Sequence, residues 1–309
     1  MNATQANREI AVSSVLGADV LLFRRMSATE GLSTLSEYKV DLYSERSDLH
    51  IDDLLATPMT VSVDLPNGGQ RHFSGMVTRF ACTGRQGRFA TYHAVLRPWL
   101  LFLTRSSDCR IFQQRSVPEI VNAVFAPYSI ADVDSSGLSS SYPILNYCVQ
   151  YRETDFDFVS RLLEQEGIYY FFRSAAGRHT MVLADSYSAH TPAAGYAHIR
   201  YMPGEDKTMR ESEVIYDWRN SGEVEPGAWT LQDYDYEKPS VNLLVRSTQA
   251  RKHPQSSHER YDYPGRYRNR QRGETYARHR IEAQHISHQR IEGATRARGL
   301  FPGVLFSLT

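Results

Sequence analysis

The sequence predicts an α+β protein that is mainly β. Residues 60–65 alternate between apolar and polar side chains, and residues 72–80 return as a second strand after a Pro-Asn-Gly-Gly turn, which is the pattern of a β-hairpin. The 309-residue chain also contains 19 tyrosines and 13 phenylalanines, and these side chains suit strands better than a bundle of helices. Two helices stand out by their caps, so the fold is expected to combine a majority of strands with a few helices.

Strand patterns dominate the first hundred residues. Residues 10–23 are fairly apolar and predict a strand near the N-terminus. A short helix is predicted at 48–55, where it ends before Pro58. Residues 89–96 follow a glycine turn at 84–87 and add a third strand to the hairpin. This region therefore predicts an antiparallel meander that closes into a small barrel or a sandwich.

Two helices are marked by their first residues. Residues 116–119 (SVPE) form a capping box with proline in the first turn, and an apolar face follows at 120–125. Residues 154–157 (TDFD) open the second helix, for which Gly167 is the predicted stop. The strand at 145–152 enters this second helix. Its residues 145, 147, 149 and 151 share one face, and its residues 146, 148, 150 and 152 share the other.

The second half of the chain changes character. Residues 168–172 (IYYFF) predict a strand covered on both faces, and a turn at 175–177 leads into a partner at 179–184. Alternation returns at 229–236. From residue 251 the chain is polar and rich in arginine, and we predict a helix at 274–292. Its apolar stripe is thin, so this helix needs cover from another chain or domain. The stripe consists of Ala277, Ile281, Gln284, His288 and Ile291.

Charge is balanced over the chain but not along it. The length favours two domains, and 35 Lys+Arg are matched by 35 Asp+Glu. Residues 251–300 contain 12 basic and 5 acidic residues, a net of +7, so the remainder carries −7. This asymmetry predicts self-association, in which the acidic surface of one copy meets the basic surface of the next. Arginine and tyrosine interleaved at 260–280 also suit nucleic acid, but lysine is nearly absent and we favour a protein interface.

Several classes of function are not supported by the sequence. It contains no signal peptide and no apolar run long enough to span a membrane, and three unpaired cysteines predict neither a disulfide framework nor a zinc site. We therefore expect folding in a reducing cytosol. The sequence has no nucleophile elbow, phosphate loop, dinucleotide fingerprint or zinc helix. We expect no cofactor and no enzymatic activity.

Three groups of residues nevertheless have a chemical interpretation. Asp155 and Asp157, with Glu153 or Glu166, resemble the acid pair of a glycosidase, but acids in a first helical turn more often offset the helix dipole and cap free N–H groups. The histidines at 279, 285 and 288 suit a metal, although no Cys or acidic partner completes the set, and surface or interface histidine is favoured. Cys148 has no histidine beside it, and ordinary strand packing is favoured over a nucleophile.

Seven segments of the sequence carry a resemblance to a known family. Residues 147–158 (YCVQYRETDFDF) and 163–172 (LEQEGIYYFF) strongly resemble the VgrG family, the spike proteins of bacterial type VI secretion systems, which are related to the tail hubs of contractile phages. Further matches come in the expected order along nearly the whole chain. They are 96–100 (LRPWL) with 107–113 (SDCRIFQ), 233–236 (DYDY), 261–265 (YDYPG) and 299–306 (GLFPGVLF).

The resemblance implies a structural hub. It implies two related antiparallel β-barrel domains with inserted α/β segments, and three chains that form a pseudo-sixfold ring matching the hexameric tube protein Hcp. The family pattern continues into a needle, which we expect to be absent because this sequence stops at Thr309. Implied partners are two further copies, Hcp, baseplate components and effectors or adaptors. No nucleic acid is expected, and a target membrane is reached only through the needle. The protein would be cytoplasmic before firing and then secreted or injected without a signal peptide.

On this basis we predict domains and site residues. The first barrel is predicted at 1–105, completed by about 205–245, a second hub domain at 106–204, and an Arg-rich segment with an exit strand at 246–309. The predicted family signature is Tyr147, Tyr151, Arg152, Glu153, Thr154, Asp155, Phe158, Leu162, Glu166 and Gly167. The predicted assembly interface is Arg266, Arg268, Arg270, Arg272, Arg278 and Arg280. Two alternatives stay open, namely a contractile phage-type baseplate hub and a carboxylate-dependent hydrolase of cell-wall glycan.

Overall fold

Strands account for most of the regular structure in the computed structural model, which describes residues 3–204 and 212–309. The N-terminal region forms one antiparallel sheet, and the meander predicted at 60–96 is confirmed as three of its strands. The segment predicted as one strand at 10–23 is instead two strands separated by a turn. The six strands of the sheet are β1 (Ile10–Ser14), β2 (Leu22–Thr29), β3 (Glu37–Ser44), β4 (Pro58–Asp64), β5 (Gln70–Gln86) and β6 (Phe89–Arg97).

This sheet curls until its two edges are bridged by one side chain. The spatial order is β1-β4-β5-β6-β3-β2, so β1 and β2 lie at opposite edges. The Gln5 side-chain amide donates to the Val12 carbonyl oxygen at 2.7 Å and accepts from the backbone N–H groups of Val12 at 3.0 Å and Phe23 at 3.4 Å. The buried amide thus takes the place of main-chain pairing between the edges, which an open sheet would leave unsatisfied. The result is a half-barrel.

The next hundred residues carry two helices and several shorter strands. β7 pairs with β9, β10 forms a hairpin with β11, and β8 lies parallel to β11. Short pairings of β12 and β13 with C-terminal strands complete this region. The elements are β7 (Ser107–Phe112), α1 (Val117–Phe125), β8 (Val133–Gly137), β9 (Cys148–Thr154), α2 (Asp155–Glu166), β10 (Tyr169–Ala175), β11 (Arg178–Ala184), β12 (Thr191–Pro192) and β13 (His198–Ile199).

The predicted helix caps are confirmed. Ser116 and Glu119 form the capping box of α1. In α2 the Asp157 backbone N–H donates to Thr154 Oγ1 at 3.0 Å. The helix ends at Gly167, which has φ 71° and so adopts the left-handed conformation that glycine accepts at little cost.

The strand predicted to be covered on both faces is also confirmed. Side chains along β10 pack alternately into two apolar clusters. Tyr170 and Phe172 join the large core formed with α1 and α2, whereas Phe171 packs against Val182 and Ala184. Both faces of β10 are therefore buried, which explains its unbroken run of aromatic residues.

The last hundred residues form smaller sheets around one helix. β14 pairs with β18, and β15 lies between β16 and β17. α3 buries Gly273, Tyr276, Ala277 and Ile281, and it packs on β15 and β16. The elements are β14 (Ile215–Gly222), β15 (Ala228–Leu231), β16 (Val245–Thr248), β17 (Glu259–Asp262), α3 (Arg270–Gln284), β18 (Gln289–Thr295), β19 (Val304–Leu305) and β20 (Ser307–Leu308).

The helix predicted at 274–292 was wrong at both ends. α3 begins four residues earlier, where the Asn269 side chain caps it by accepting from the Arg272 N–H at 2.8 Å. It ends at Gln284, and residues 289–295 are the strand β18. Beyond that point the predicted stripe contains only His288 and Ile291. This is too little apolar surface to stabilise a helix, and the segment instead forms main-chain hydrogen bonds with β14. The cover that the sequence predicts for this helix comes from β15 and β16 of the same chain.

Two smaller predictions were also wrong. Residues 48–55 contain no α-helix and instead form a turn around the buried Leu54. The strand predicted at 229–236 stops at Leu231, and Tyr234 and Tyr236 lie in the exposed segment after it. In both cases the sequence pattern was short, and the residues form hydrogen-bonded turns in place of the predicted helix or strand.

The contacts divide the chain into two compact units. The first contains residues 1–163, 168–199 and 297–308, and the second contains residues 164–167, 200–296 and 309. The predicted boundaries at 105, 204 and 245 and the presence of two related barrels stay predictions. Within the predicted 205–245 segment, residues 205–211 lie outside the described residues.

Candidate assembly surface

The predicted signature begins at a buried carboxylate. Asp155, 5% exposed, lies in the first turn of α2. It accepts hydrogen bonds from the guanidinium of Arg110 on β7, from Gln150 Nε2 on β9 at 2.8 Å and from the Tyr128 hydroxyl at 3.0 Å. These donors compensate for the loss of water, which a buried carboxylate requires. Asp155 therefore fixes the strands β7 and β9 to the start of α2 and is more than a helix cap.

A bulge precedes this carboxylate. The ladder between β7 and β9 skips Arg152, which has φ 52°, as expected for the extra residue of a bulge. The carboxylate of the next residue, Glu153, accepts hydrogen bonds from Nε and from a terminal nitrogen of Arg161 on α2, at 2.6–3.0 Å. Arg161 also donates to the Val149 carbonyl oxygen at 2.7 Å. Arg161 on α2 is therefore bonded to β9 at two residues, Val149 and Glu153, one on each side of the bulge.

The signature ends at a second buried carboxylate. Glu166, 4% exposed, accepts hydrogen bonds from the Arg272 guanidinium and, at 3.0 Å, from the Tyr276 hydroxyl. Both donors lie on α3, whose first turn contains no acid of its own. Gly167 follows, and a β-carbon at that position would lie 2.9 Å or less from the His279 ring. Residues 164–167 and α3 both belong to the second unit.

The remaining signature residues divide between core and surface. Phe158 and Leu162 are in the core of the first unit, whereas Tyr147 and Tyr151 are exposed. On β9 the buried face carries Cys148 and Gln150, and the aromatic face points outward. Gln150 is buried because it bonds to both Arg110 and Asp155. In the sequence, Cys148 and Gln150 alternate with Tyr147 and Tyr151, and this alternation is the signal from which the cluster could have been found.

The six arginines of the predicted interface do not form one group. Arg272 is spent on Glu166, and Arg280 approaches Glu164 to 3.5 Å. Arg270 and Arg278 pair with acids one helical turn further along α3. Arg266 and Arg268 differ, because neither has a carboxylate within 4 Å among residues 3–204 and 212–309.

The charge asymmetry along the chain disappears in the two units. The second unit contains the Arg-rich stretch as far as residue 296 together with all of the acids between 200 and 250, and it carries 17 Lys+Arg and 17 Asp+Glu. The first unit carries 18 of each. The two units therefore carry no net charges of opposite sign, so attraction between the units as wholes is not available. Self-association through the +7 and −7 regions stays a prediction.

Two motif segments lie side by side in the second unit. The backbone N–H of Gly265 donates to the Gln232 carbonyl oxygen at 2.9 Å, and the Tyr261 hydroxyl donates to Gln232 Oε1 at 2.8 Å. The Arg268 guanidinium carbon lies 5.8 Å from the centre of the Tyr236 ring. We call the exposed side chains of these segments the Tyr–Arg surface; they are Tyr234, Tyr236, Tyr261, Tyr263, Arg266 and Arg268.

The groups considered for catalysis or metal binding are placed otherwise. Cys148 is buried, and burial raises the pKa of its thiol. His288 stacks on His253, and its ring lies tilted beside that of His285 at 5.8 Å between ring centres. In the described residues no ring contact joins His279 to these three. In the described part of the chain, no three His, Cys, Asp or Glu side chains are grouped so that they could hold a metal ion. The described helices also include none with the length and apolar character needed to cross a membrane.

The sequence was compared with models of known protein families. The phage tail baseplate hub (GPD) family model matches residues 29–309. The chain belongs to the phage tail baseplate hub family. The resemblance carried by the sequence motifs and the expectation of a mainly β fold are both confirmed.

Members of the hub family and their relatives differ in length. The chain is 47% identical over 307 residues to the type VI secretion system spike protein VgrG1a of Pseudomonas aeruginosa, covering 99% of this chain and 47% of that protein. It therefore spans about half the length of this curated relative.

Solved structures of hub-like proteins show the same fold. The E. coli c3393 protein, described as a type VI component with structural similarity to the T4 tail proteins gp27 and gp5, has a TM-score of 0.63 at 20% identity, covering 94% of this chain and 66% of that chain. A tail protein from Neisseria meningitidis MC58 has a TM-score of 0.65 at 11% identity, covering 97% and 86%. At these identities the likeness concerns the fold alone.

Proposed function

We propose that this chain is the hub of a type VI secretion spike. Three copies form the base of the spike, dock on the Hcp tube and carry the puncturing device and effectors. The observation that carries this proposal is the 47% identity to a type VI spike protein over 99% of the chain, together with the hub-family match.

Symmetry is the physical task of such a hub. A threefold spike must sit on a sixfold tube, and a chain with two similar barrels supplies six similar elements from three copies. The half-barrel of the first unit is one candidate for such an element. We propose that the remainder of the chain supplies a second, similar barrel. Contraction of the surrounding sheath then moves the whole assembly, so this chain leaves the cytoplasm without a signal peptide and needs baseplate components around it.

We also propose that the hub has no catalytic role. The acids of the glycan-hydrolase hypothesis are Glu153, Asp155 and Glu166, and each is bound to an arginine of its own chain. A general acid or nucleophile has to reach the substrate, whereas Asp155 and Glu166 are almost completely buried. Their geometry supports a role in holding α2 in place.

Molar mass by light scattering tests the assembly. We expect a trimer for the protein extended to the full length of its relatives, and binding of that trimer to preformed Hcp rings. A longer protein that stays monomeric at every concentration would contradict the proposal. For the enzyme alternative, Glu153→Gln should leave peptidoglycan turnover unchanged, and a folded E153Q variant that loses a hydrolase activity present in the parent would favour catalysis.

A phage-type baseplate hub is the second candidate. It is favoured by the family match and by the likeness of the fold to a tail protein from Neisseria meningitidis. The two candidates share the same physics and differ in their genetic surroundings. Sheath, tube and membrane-complex genes of a secretion system beside this gene would support the first, and capsid and head genes would support the second.

A further inference from the structure

The Tyr–Arg surface has the composition of a binding site for another protein. Its four tyrosines are 55–68% exposed, although tyrosine rings are usually at least half covered in a folded chain. Tyrosine and arginine are the residue types that dominate the energetics of protein interfaces. The surface therefore exposes aromatic rings beside two guanidinium groups, although the Tyr261 hydroxyl is bonded to Gln232 and Arg268 lies near the Tyr236 ring.

Two acids near this surface, Asp233 and Asp235, accept hydrogen bonds from backbone amides. Asp233 accepts from the N–H groups of Tyr234 at 2.7 Å and Tyr267 at 3.1 Å, and Asp235 accepts from the Glu237 N–H at 2.9 Å. Asp262 follows Tyr261 on β17, where successive side chains point to opposite faces. Within residues 3–204 and 212–309, no carboxylate oxygen lies within 4 Å of the guanidinium groups of Arg266 and Arg268.

The backbone holds these arginines in place. Arg266 has φ 63°, a conformation that few residues other than glycine adopt. The hydrogen bonds of Gly265 to Gln232 and of Tyr267 to Asp233 fix the residues on both sides of it. A left-handed residue kept by its neighbours costs free energy and is characteristic of functional positions.

A complementary surface exists in the first unit. Residues 51–55 form a turn, which we call the Asp–Asp turn, with exposed Ile51 and Leu55 on either side of Asp52 and Asp53. Neither acid has a cation within 4 Å in the described ranges. The nearby Arg46 is paired with Asp48 at 3.0 Å. Leu54 is completely buried and anchors the turn. The turn therefore presents two negative charges and two aliphatic side chains on a fixed base.

We propose that the Tyr–Arg surface of one copy binds the Asp–Asp turn of a second copy. Arg266 and Arg268 pair with Asp52 and Asp53, and the tyrosine rings cover Ile51 and Leu55. Such a contact joins different surfaces of identical chains, and contacts of this kind close into rings when the rotation between copies allows it. The inference rests on the proposed hub trimer and names the surfaces that form it.

Charge reversal tests this pairing directly. The variants are Arg266→Glu with Arg268→Glu, Asp52→Arg with Asp53→Arg, and the combination of all four, compared by sedimentation and light scattering over a range of concentrations and salt. Each one-sided reversal should weaken self-association at least about tenfold, which corresponds to about 1.4 kcal/mol, and the fourfold variant should regain most of it. Arg270→Glu with Arg278→Glu is the control matched in charge, since both arginines are exposed on α3 and already have acidic neighbours.

Three outcomes would overturn the pairing. The first is a parent chain that stays monomeric at its highest soluble concentration, and the second is assembly that is unaffected by one-sided reversal. The third is a fourfold variant that recovers nothing. A full-length trimer that survives R266E/R268E would refute this pairing and leave the hub role intact. Binding of a single-stranded oligonucleotide that only R266E/R268E abolishes, with self-association unchanged, would assign the Tyr–Arg surface to nucleic acid instead.

Discussion

The two ends of α2 solve the same problem with different parts of the chain. At each end a buried carboxylate accepts hydrogen bonds from an arginine and a tyrosine. Asp155 at the first end has Arg110 and Tyr128 as donors, with Gln150 as a third. All three lie within 45 positions of Asp155 in the sequence. At the second end the donors of Glu166 are 106 and 110 positions away.

The difference concerns how well each carboxylate is supported. Asp155 lies in the first turn of α2, where the helix dipole favours negative charge. Glu166 has only its two donors on α3, and the Arg272 Nε is buried without a hydrogen-bond partner in the described structure. A carboxylate with several donors tolerates the loss of one, whereas a carboxylate with two does not. The second end should therefore be the weaker point of the hub.

The largest effect is expected from Arg272→Met. It leaves the buried Glu166 charge with a single hydroxyl donor, and breaking a buried pair in this way costs about 3–5 kcal/mol. Hydrogen exchange of the α3 amides would report the loss locally. Arg278→Met is the control, because its exposed pair with Glu282 is worth less than about 1 kcal/mol. If both variants cost the same, Glu166 does not depend on Arg272. The double variant E166Q/R272M should recover most of the loss.

Arg110→Met should cost less, about 2 kcal/mol, which is typical for one hydrogen bond to a charged group. Asp155 keeps Gln150, Tyr128 and the helix N-terminus after this change. The measurement is the exchange of amides in β9 and the first turns of α2. A loss as large as that in R272M would mean that the number of donors does not set the strength of the two ends.

A pair of glycines sharpens the comparison at the second end. Gly167 and Gly177 have the same φ of 71°, but a β-carbon at Gly167 meets the His279 ring and one at Gly177 meets nothing within 4 Å. Gly177→Ala should lower the free energy of unfolding by about 1 kcal/mol through backbone strain alone. Gly167→Ala should cost more, as measured by urea unfolding. Equal losses would mean that α3 yields to the added methyl group.

Acid should loosen the second end slightly, and this is the smallest effect. Burial lowers the pKa of His279, whose ring lies beside Gly167 and Gln165. A histidine with a lowered pKa in the folded state takes up its proton first in the unfolded chain, so stability falls as the pH drops below about 6.5. The α3 amides of the parent should lose protection there relative to His279→Gln. An identical pH profile for both proteins would exclude His279 as the cause.

Much of the fold was predictable because it is local. The box at Ser116, the start of α2 at Thr154 and its stop at Gly167 depend on residues within one helical turn. The hairpin of β4 and β5 depends on alternation and one turn. Patterns of this range survive in the tertiary structure because the same residues that form them also satisfy their backbone groups.

Long-range partners were not predictable. Nothing near Glu166 indicates Arg272, and nothing near Gln5 indicates that its amide bridges β1 and β2. The predicted interface arginines looked alike in sequence, yet Arg272 forms an ion pair with the buried Glu166. Arg266 and Arg268, by contrast, have no carboxylate within 4 Å in the part of the chain that the structure describes. Whether Arg272 forms an ion pair depends on an acid about a hundred positions away in the chain. A single sequence does not show which distant residues are close in space.

By itself, the sequence determined the secondary structure around each cap and turn and, through its motifs, the hub family. The tertiary structure decided where the charge lies. It joined the Arg-rich stretch to its acids within one unit and cancelled the +7 and −7 regions. It also brought two tyrosine motifs together as one exposed surface. The physical reason is that helices and turns follow from neighbours along the chain, whereas electrostatic pairing follows distance in space.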